Sequence, residues 1–151
     1  MKTDDLQEYV KDMKYKVAFH VFLDGYVPQS LNVALREHWA KRAKGREKLL
    51  AIMGVAGVGD IGSAQANEKR GVVIVQERAR LLDQDNLYGS VKAMVDCMKP
   101  TIYRKKSHRN IAGFGVIIDD DARHCELKVF QAKSKVKDQG TNILILVGEE
   151  A

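Results

Sequence analysis

Four segments of the chain are rich in apolar and β-branched residues, and their order constrains the fold more than any other feature. They cover residues 15–25, 71–80, 124–133 and 142–148. Such segments, bounded by polar turns, are typical of β-strands. Residues 37–53 and 86–98 instead place apolar residues at helical spacing. The order β-α-β-α-β-β predicts an α/β (α+β) fold in which a mixed β-sheet carries two main helices.

The length of the chain and its two cysteines bound its organisation. A chain of 151 residues suits one domain, so residues 1–151 are predicted to form a single domain with residues 1–14 as an N-terminal extension. Cys97 and Cys125 indicate two buried thiols in a reducing compartment rather than a disulfide framework. No apolar run approaches the roughly 20 residues that span a bilayer, and the charged N-terminus lacks a signal-peptide pattern. These features predict a cytoplasmic protein.

The net charge of the chain favours a polyanionic partner. It is +5, from 25 Lys and Arg against 20 Asp and Glu. Basic residues gather on or beside the first helix and in the connection that follows the second helix. The candidates for contact with a phosphate backbone are Arg36, Lys41, Arg42, Lys44, Arg46, Lys105 and Lys106. A solvated helix face and a mobile loop account for the same residues without a ligand.

Both predicted helices have an apolar stripe that is spaced to face the core. The stripe of the first helix consists of Trp39, Ala43, Leu50 and Met53. That of the second helix consists of Leu87, Val91, Met94, Val95 and Met98. Gly45 is a weak point of the first helix, because Gly costs about 1 kcal/mol relative to Ala in a helix interior.

The opposite face of the second helix carries polar chemistry. Asp85, Gly89, Lys92 and Asp96 fall within one arc about 60° wide if the helix is continuous. Asp83 lies two residues before Asp85, so both carboxylates point the same way if the second strand extends to Asp83. Two such carboxylates suit Mg²⁺ or Mn²⁺. The alternative is that one of them only caps the helix.

A second acidic cluster consists of Asp119, Asp120 and Asp121, directly after the apolar run 116–118. Three adjacent carboxylates repel one another unless they are screened, although a solvated turn is the ordinary explanation. If Asp119 or Asp120 folds back beside Asp83 and Asp85, three or four carboxylates converge. That number of ligands fits one or two divalent metals that retain open positions for water and phosphate.

A glycine-rich stretch offers a competing interpretation. Residues 57–62, GVGDIG, match the G-x-G-x-x-G pattern of dinucleotide-binding enzymes. That pattern requires a strand before it and a crossover helix after it. Only about eight residues separate Gly62 from the next strand, which is too few for a crossover helix. A glycine loop that joins a helix to a strand is the simpler explanation.

Two motifs give the chain a resemblance to the RusA family of Holliday junction resolvases, which occur in bacteria and their phages. DQDNLYGSVKAMVD at 83–96, followed by GVIIDDD at 115–121, resembles that family's Asp-x-Asp-Asn-Leu motif, its later helical Asp and its downstream Asp-Asp pair. PQSLNVALREHWAKRAK at 28–44 is similar to the family's Pro-x-Ser-x-Asn loop and basic helix. The resemblance covers most of the chain from about residue 15 to 147.

The resemblance implies a Mg²⁺-dependent endonuclease that acts as a homodimer on four-way DNA junctions in recombination and repair. Mn²⁺ would be a substitute metal. It assigns Asp83, Asp85 and Asp120 to metal binding and catalysis, with Asp119 as the other member of the pair. Relatives carry a catalytic lysine where this chain has Gly89, and Lys92 is the candidate to replace it. The alternative that keeps the fold is a non-catalytic DNA-binding module with a structural metal site.

Overall fold

The structure, a computed structural model, describes residues 3–105 and 111–148. The helices are α1 (Thr3–Val10), α2 (Leu31–Arg36), α3 (Trp39–Ala56), α4 (Gln84–Ser90) and α5 (Lys92–Met98). The strands are β1 (Tyr15–Asp24), β2 (Arg70–Arg78), β3 (Pro100–Ile102), β4 (Ile111–Phe114), β5 (Cys125–Lys133) and β6 (Gly140–Gly148). Short 3₁₀ turns follow α3 at Val58–Ile61 and precede β6 at Val136–Asp138.

The main sheet is mixed, as predicted, and has the strand order β1-β6-β2-β5. β6 is antiparallel to both β1 and β2, whereas β5 is parallel to β2. The last two strands of the chain are therefore separated by β2, and this central position explains the unbroken apolar run of β2 at residues 72–75. A central strand covered on both faces needs such a run. β3 and β4 form a separate antiparallel pair.

The sheet is covered on both faces, and α1 covers one of them. Leu6, Val10 and Met13 pack against residues of β2 and β6 on that face. α3, α4 and α5 bury their apolar residues with the other face. Leu6, Val10 and Met13 thus contribute to the core, so the predicted N-terminal extension at residues 1–14 packs on the sheet through α1. No helix within 3–105 or 111–148 is both long and apolar enough to cross a membrane.

The second predicted helix exists but is broken at Val91. The Val91 N–H bonds to the carbonyls of Tyr88 and Gly89, and the backbone of Val91 (φ −91°, ψ 0°) separates α4 from α5. The predicted core stripe is nevertheless confirmed. Its five members are buried: Leu87, Val91, Met94, Val95 and Met98. The prediction of one continuous polar face fails, because that arc assumed an unbroken helix.

The predicted stripe of the first helix is only partly right. Met53 is fully buried and Leu50 packs against the core, but Ala43 is exposed and 69% of Trp39 is exposed. Within α3 only Leu49 and Met53 are buried, both in the C-terminal half. The N-terminal half of α3 therefore presents its side chains away from the core.

The two cysteines are buried and free, as predicted. Burial raises the pKa of the Cys125 thiol to about 11 and also raises the pKa of Cys97. Both thiols are therefore protonated near neutral pH.

The glycine-rich stretch follows α3, not a strand. Gly57 terminates α3 in the left-handed conformation (φ 92°), and a 3₁₀ turn follows it. The strand–turn–helix context that dinucleotide binding requires is thus absent at residues 57–62.

Gly45 within α3 and Gly57 directly after it give a testable pair of substitutions. A Cβ at Gly45 would meet no atom within 4 Å, so Gly45→Ala is expected to raise the free energy of unfolding by roughly 0.5–1 kcal/mol. At Gly57 the backbone has a positive φ, and a Cβ would lie 2.8 Å from Asp60 Oδ2. Gly57→Ala is therefore expected to lower the free energy of unfolding. Urea unfolding of both variants checks this, and destabilisation by Gly45→Ala would contradict it.

Candidate metal and DNA-binding site

Asp83 caps α4 and is held by Asn86. Asp83 Oδ1 accepts a hydrogen bond from the Asn86 N–H (2.9 Å), and Asn86 Nδ2 donates to both carboxylate oxygens (3.1 and 3.0 Å). β2 ends at Arg78 and does not reach Asp83, so the condition under which a strand would align Asp83 with Asp85 is not met. The capping alternative is correct for Asp83, while Asp85 lies exposed in the first turn of α4.

Asn86 also joins the two sequence motifs. Its Oδ1 accepts a hydrogen bond from the Asn32 N–H (3.2 Å), at the start of α2. Ser30 Oγ accepts from the Val33 N–H (3.3 Å), which caps the same helix. The Pro-x-Ser-x-Asn loop thus lies against the Asp-x-Asp-Asn-Leu motif, although about fifty residues separate them in sequence. Asn86 has a positioning role here.

The joined motifs enclose an open pocket of about 360 Å³. It is lined by Asn32, Asp83, Gln84, Asp85 and Asn86. The two carboxylates that were predicted to lie together therefore do so, but on a helix N-terminus. Mg²⁺ typically keeps several waters and takes one or two protein carboxylates plus a substrate phosphate. Asp83 and Asp85, both exposed in an open pocket, fit that ligand set.

A buried polar network holds the pocket on the sheet. Arg78 donates to the Pro28 carbonyl and, through Nε, to Gln76 Oε1 (2.6 Å). Gln76 Nε2 donates to Ser90 Oγ (2.9 Å), and Ser90 Oγ donates to the Leu87 carbonyl (2.6 Å). Gln76, Arg78 and Ser90 are all buried. The network therefore ties the loop at Pro28 and α4 to β2.

The cap makes the stability of the protein depend on pH. Hydrogen bonds from the backbone and then the side chain of Asn86 hold the pKa of Asp83 below its ordinary value of 3.8. A lowered pKa in the folded state stabilises the fold above the ordinary value and ceases to do so as pH falls through the folded value. Asp83→Asn keeps a capping residue but loses the charge.

We therefore expect the melting temperature of wild type to exceed that of Asp83→Asn near pH 7, and we expect the difference to shrink as the pH falls below the ordinary carboxyl pKa of 3.8 and through the lower pKa of folded Asp83. Thermal melts across pH 2–7 measure it. A difference that is constant across this range would contradict the assignment.

Asp119 and Asp120 lie beside Lys99 and do not line the pocket of Asp83 and Asp85. Lys99 Nζ lies 3.1 Å from Asp96, 3.5 Å from Asp120 and 3.9 Å from Asp119. Partial burial alone would lower the pKa of Lys99, but the hydrogen bond to Asp96 and the charges of Asp120 and Asp119 raise it. Lys99 thus supplies the positive charge that screens this acidic cluster.

Asp121 differs from Asp119 and Asp120 because it pairs with His124 and not with Lys99. Its Oδ1 accepts a hydrogen bond from the His124 N–H (3.1 Å) and lies 2.6 Å from His124 Nδ1. Asp119 Oδ1 meanwhile accepts from the Asp120 N–H (2.8 Å). The Asp-Asp pair that faces Lys99 is therefore Asp119 and Asp120.

The two acidic clusters lie at different ends of β5. Leu82, next to Asp83, is hydrogen-bonded through its N–H and its carbonyl to the side chain of Gln131, near the C-terminal end of β5. At the N-terminal end of β5, the Cys125 N–H donates to the Asp121 carbonyl. Gln131 and Cys125 are about 20 Å apart at about 3.3 Å per residue of strand. Asp119 and Asp120 thus lie near the other end of β5 and do not line the pocket of Asp83 and Asp85.

No group of three or more Asp, Glu, His or Cys side chains forms a metal-binding cluster among residues 3–105 and 111–148. Metal binding by Asp119 and Asp120 stays a prediction from the resemblance.

Lys92 lies in a second, larger groove of about 980 Å³ between α3, α5 and the β3–β4 pair. Asp96 and Lys99 share this groove, whereas Asp83 and Asp85 do not. The break at Val91 explains the separation, because Lys92 begins a new helix. The face that was expected to combine Asp85 with Lys92 and Asp96 is thus divided between two concavities.

The predicted basic residues are distributed along α2, α3 and the segment that follows β3. Arg46 lines the large groove and donates to the Ala112 carbonyl (2.9 Å), and Lys41 pairs with Glu37 (3.6 Å). Arg36 donates to the Asn32 carbonyl, close to the small pocket. The remaining described candidates, Arg42, Lys44 and Lys105, are exposed, and Lys106 lies outside the described residues.

Sequence reasoning missed three residues of this region. Lys99 was not singled out, although it lies three residues after Asp96, a spacing that brings helical side chains together. Asn32 was part of a quoted motif without a role of its own. Trp39 was assigned to the core and instead lines the groove.

Comparison with known proteins identifies no relative. No protein-family model, curated protein or solved structure matches the chain.

Proposed function

We propose that this chain is a Mg²⁺-dependent endonuclease that resolves four-way DNA junctions, as the resemblance to RusA-type resolvases implies. The observation that carries the proposal is the contact between two distant motifs. Asn86 holds Asp83 with its amide nitrogen and the Asn32 backbone with its amide oxygen. That contact creates a pocket in which Asp83 and Asp85 stand exposed together.

In the proposed reaction the carboxylates of Asp83 and Asp85 hold Mg²⁺, with Mn²⁺ as a substitute. When bound, the metal supplies charge neutralisation at the phosphodiester and a more acidic water. Asn86 fixes the Asp83 carboxylate, and the lowered pKa of Asp83 keeps it ionised. Asp120 and Asp119 are the remaining metal-ligand candidates, and Lys92 is the candidate for contact with the reacting phosphate.

The proposed partner is branched DNA, and the proposed assembly is a cytoplasmic homodimer in a bacterium or phage. A two-fold dimer presents two equivalent pockets, which suits symmetrical cutting of two strands. The exposed cations of α3, including Arg42 and Lys44, are suited to contact the junction arms. Neutralised phosphates would make the affinity fall as salt rises.

A non-catalytic DNA-binding module is the second candidate, and the geometry gives it specific support. Lys92 and the Asp119–Asp120 pair both lie away from the pocket of Asp83 and Asp85. Gly89 occupies the place of the lysine that relatives use. Among the described residues, the pocket lining has two carboxylates and no Lys or Arg, which fits a structural metal as well as a catalytic one.

Cleavage of end-labelled DNA separates the two candidates. Wild-type protein is incubated with a four-way junction and with linear duplex of the same sequence, in Mg²⁺ and in EDTA. Cutting of the junction alone, and only in Mg²⁺, supports the resolvase. Junction binding without cutting in either Mg²⁺ or Mn²⁺ supports the module, and equal cutting of linear duplex would overturn junction selectivity.

A further inference from the structure

The large groove is separate from the carboxylate pocket and has the size of a ligand site. It holds about 980 Å³, at the upper end of the range of about 300–1,000 Å³ for ligand clefts. α3 and α5 form two of its walls, and the β3–β4 pair forms a third. The hydrogen bond from Arg46 to the Ala112 carbonyl joins α3 to β4 across it.

The groove exposes an aromatic ring at the start of α3. Trp39 lines it and is 69% exposed, and Ile102 of β3 lines it and is 55% exposed. The His38 ring lies beside the Trp39 ring, with centroids 5.4 Å apart. An exposed Trp face in a groove is a stacking surface for a planar ligand.

Cations outnumber carboxylates in the lining. The four basic side chains are Arg46, Lys92, Lys99 and Arg104, and the two acidic ones are Glu47 and Asp96. Lys99 is paired with Asp96 and with the neighbouring Asp120 and Asp119, so the cationic character of the groove depends on Arg46 and Lys92. Lys92 is exposed and forms no ion pair with any residue in 3–105 or 111–148. The part of the groove near Lys92 and Arg46 therefore suits an anionic group, and Trp39 suits a flat apolar face of the same ligand.

We propose that this groove binds an unpaired segment of DNA, with Trp39 stacked on a base and Lys92 and Arg46 near its phosphates. This inference deepens the proposed function and rests on it, because an opened junction supplies unpaired strand. Aromatic faces combined with a cationic groove are the means by which proteins hold single strands. Paired bases hide their faces in the stack, so an intact duplex lacks the group that Trp39 would contact.

The single tryptophan of the chain makes a direct assay available. The full-length protein is titrated in EDTA with a short oligothymidylate, with an abasic strand of the same length, and with duplex, while tryptophan emission is recorded. We expect the oligothymidylate to quench Trp39 and to bind about 5- to 100-fold more tightly than the abasic strand. Equal affinity for the two strands, or unchanged emission at saturation, would overturn the proposal.

Variants test the contacts with a labelled oligothymidylate and fluorescence anisotropy. Trp39→Ala should lose the preference for thymidylate over the abasic strand, and Trp39→Phe should keep most of it. Lys92→Gln should weaken the binding of both strands and should reduce the slope of log affinity against log salt concentration by about one. Lys137→Gln is the control on an exposed 3₁₀ turn and should change neither quantity. A Trp39→Ala variant with the full base preference would contradict the stacking role.

The EDTA condition separates this inference from the nuclease proposal. If the base-bearing strand quenches Trp39 but the protein cuts no junction in Mg²⁺, the groove binds unpaired DNA and the nuclease proposal is wrong. If the protein cuts junctions but unpaired DNA leaves the Trp39 emission unchanged, the nuclease proposal is supported and the groove proposal is wrong.

Discussion

Asp85→Asn is expected to lower the rate of Mg²⁺-dependent junction cutting by about 100-fold or more, because even outer-shell partners of a metal cost 10–100-fold. Asp85 is exposed, and no hydrogen bond of its side chain is found within residues 3–105 and 111–148. Its loss should therefore leave the melting temperature and the junction affinity in EDTA unchanged. Single-turnover cutting and a melting curve measure both quantities.

The matched control is Asp12→Asn. Asp12 is an exposed carboxylate next to α1, whose helix covers the opposite face of the sheet. It carries the same change of charge, so any loss of cutting that it shares with Asp85→Asn reflects net charge only. Full cutting activity in Asp85→Asn would show that the pocket is not the catalytic metal site.

Leu6→Ala is expected to lower the free energy of unfolding by about 2–5 kcal/mol, the usual range for a buried leucine. Leu6 is 1% exposed and packs with Val10 and Met13 over β2 and β6. Its truncation leaves a cavity between α1 and the sheet. Chemical denaturation measures the change.

Leu35→Ala provides the comparison. Leu35 lies on α2 with 66% of its surface exposed, so the same substitution there should change stability by no more than about 0.5 kcal/mol. Equal effects of the two substitutions, or a Leu6→Ala variant as stable as wild type, would show that α1 does not complete the core.

The four strands of the main sheet and much of the core could be predicted from sequence because their signals are local, whereas the short β3 and β4 were missed. The apolar run of β2 and the stripe from Leu87 to Met98 both arise from burial, which leaves a periodic pattern. α1 carried the same kind of signal, with Leu6, Tyr9, Val10 and Met13 at helical spacing. That signal was hidden among charged residues near the start of the chain.

The parts that could not be predicted depend on geometry that leaves no periodic mark. The apolar stripe continues through Val91, so nothing in it reveals the break that separates Asp85 from Lys92. The distance between the acidic clusters follows from the parallel pairing of β5 with β2, which places Asp121 and Leu82 at different levels of the sheet. Strand pairing is a tertiary property.

The most direct test of the central proposal uses a supercoiled plasmid that extrudes a cruciform. Two symmetrical cuts at one four-way junction convert the plasmid to the linear form, whereas independent nicks first accumulate the nicked circle. We predict that wild-type protein in Mg²⁺ yields linear plasmid without prior nicked circle and that Asp85→Asn yields neither. An intact plasmid, or a nicked circle alone, from wild-type protein in both Mg²⁺ and Mn²⁺ would contradict the proposal that this chain resolves junctions.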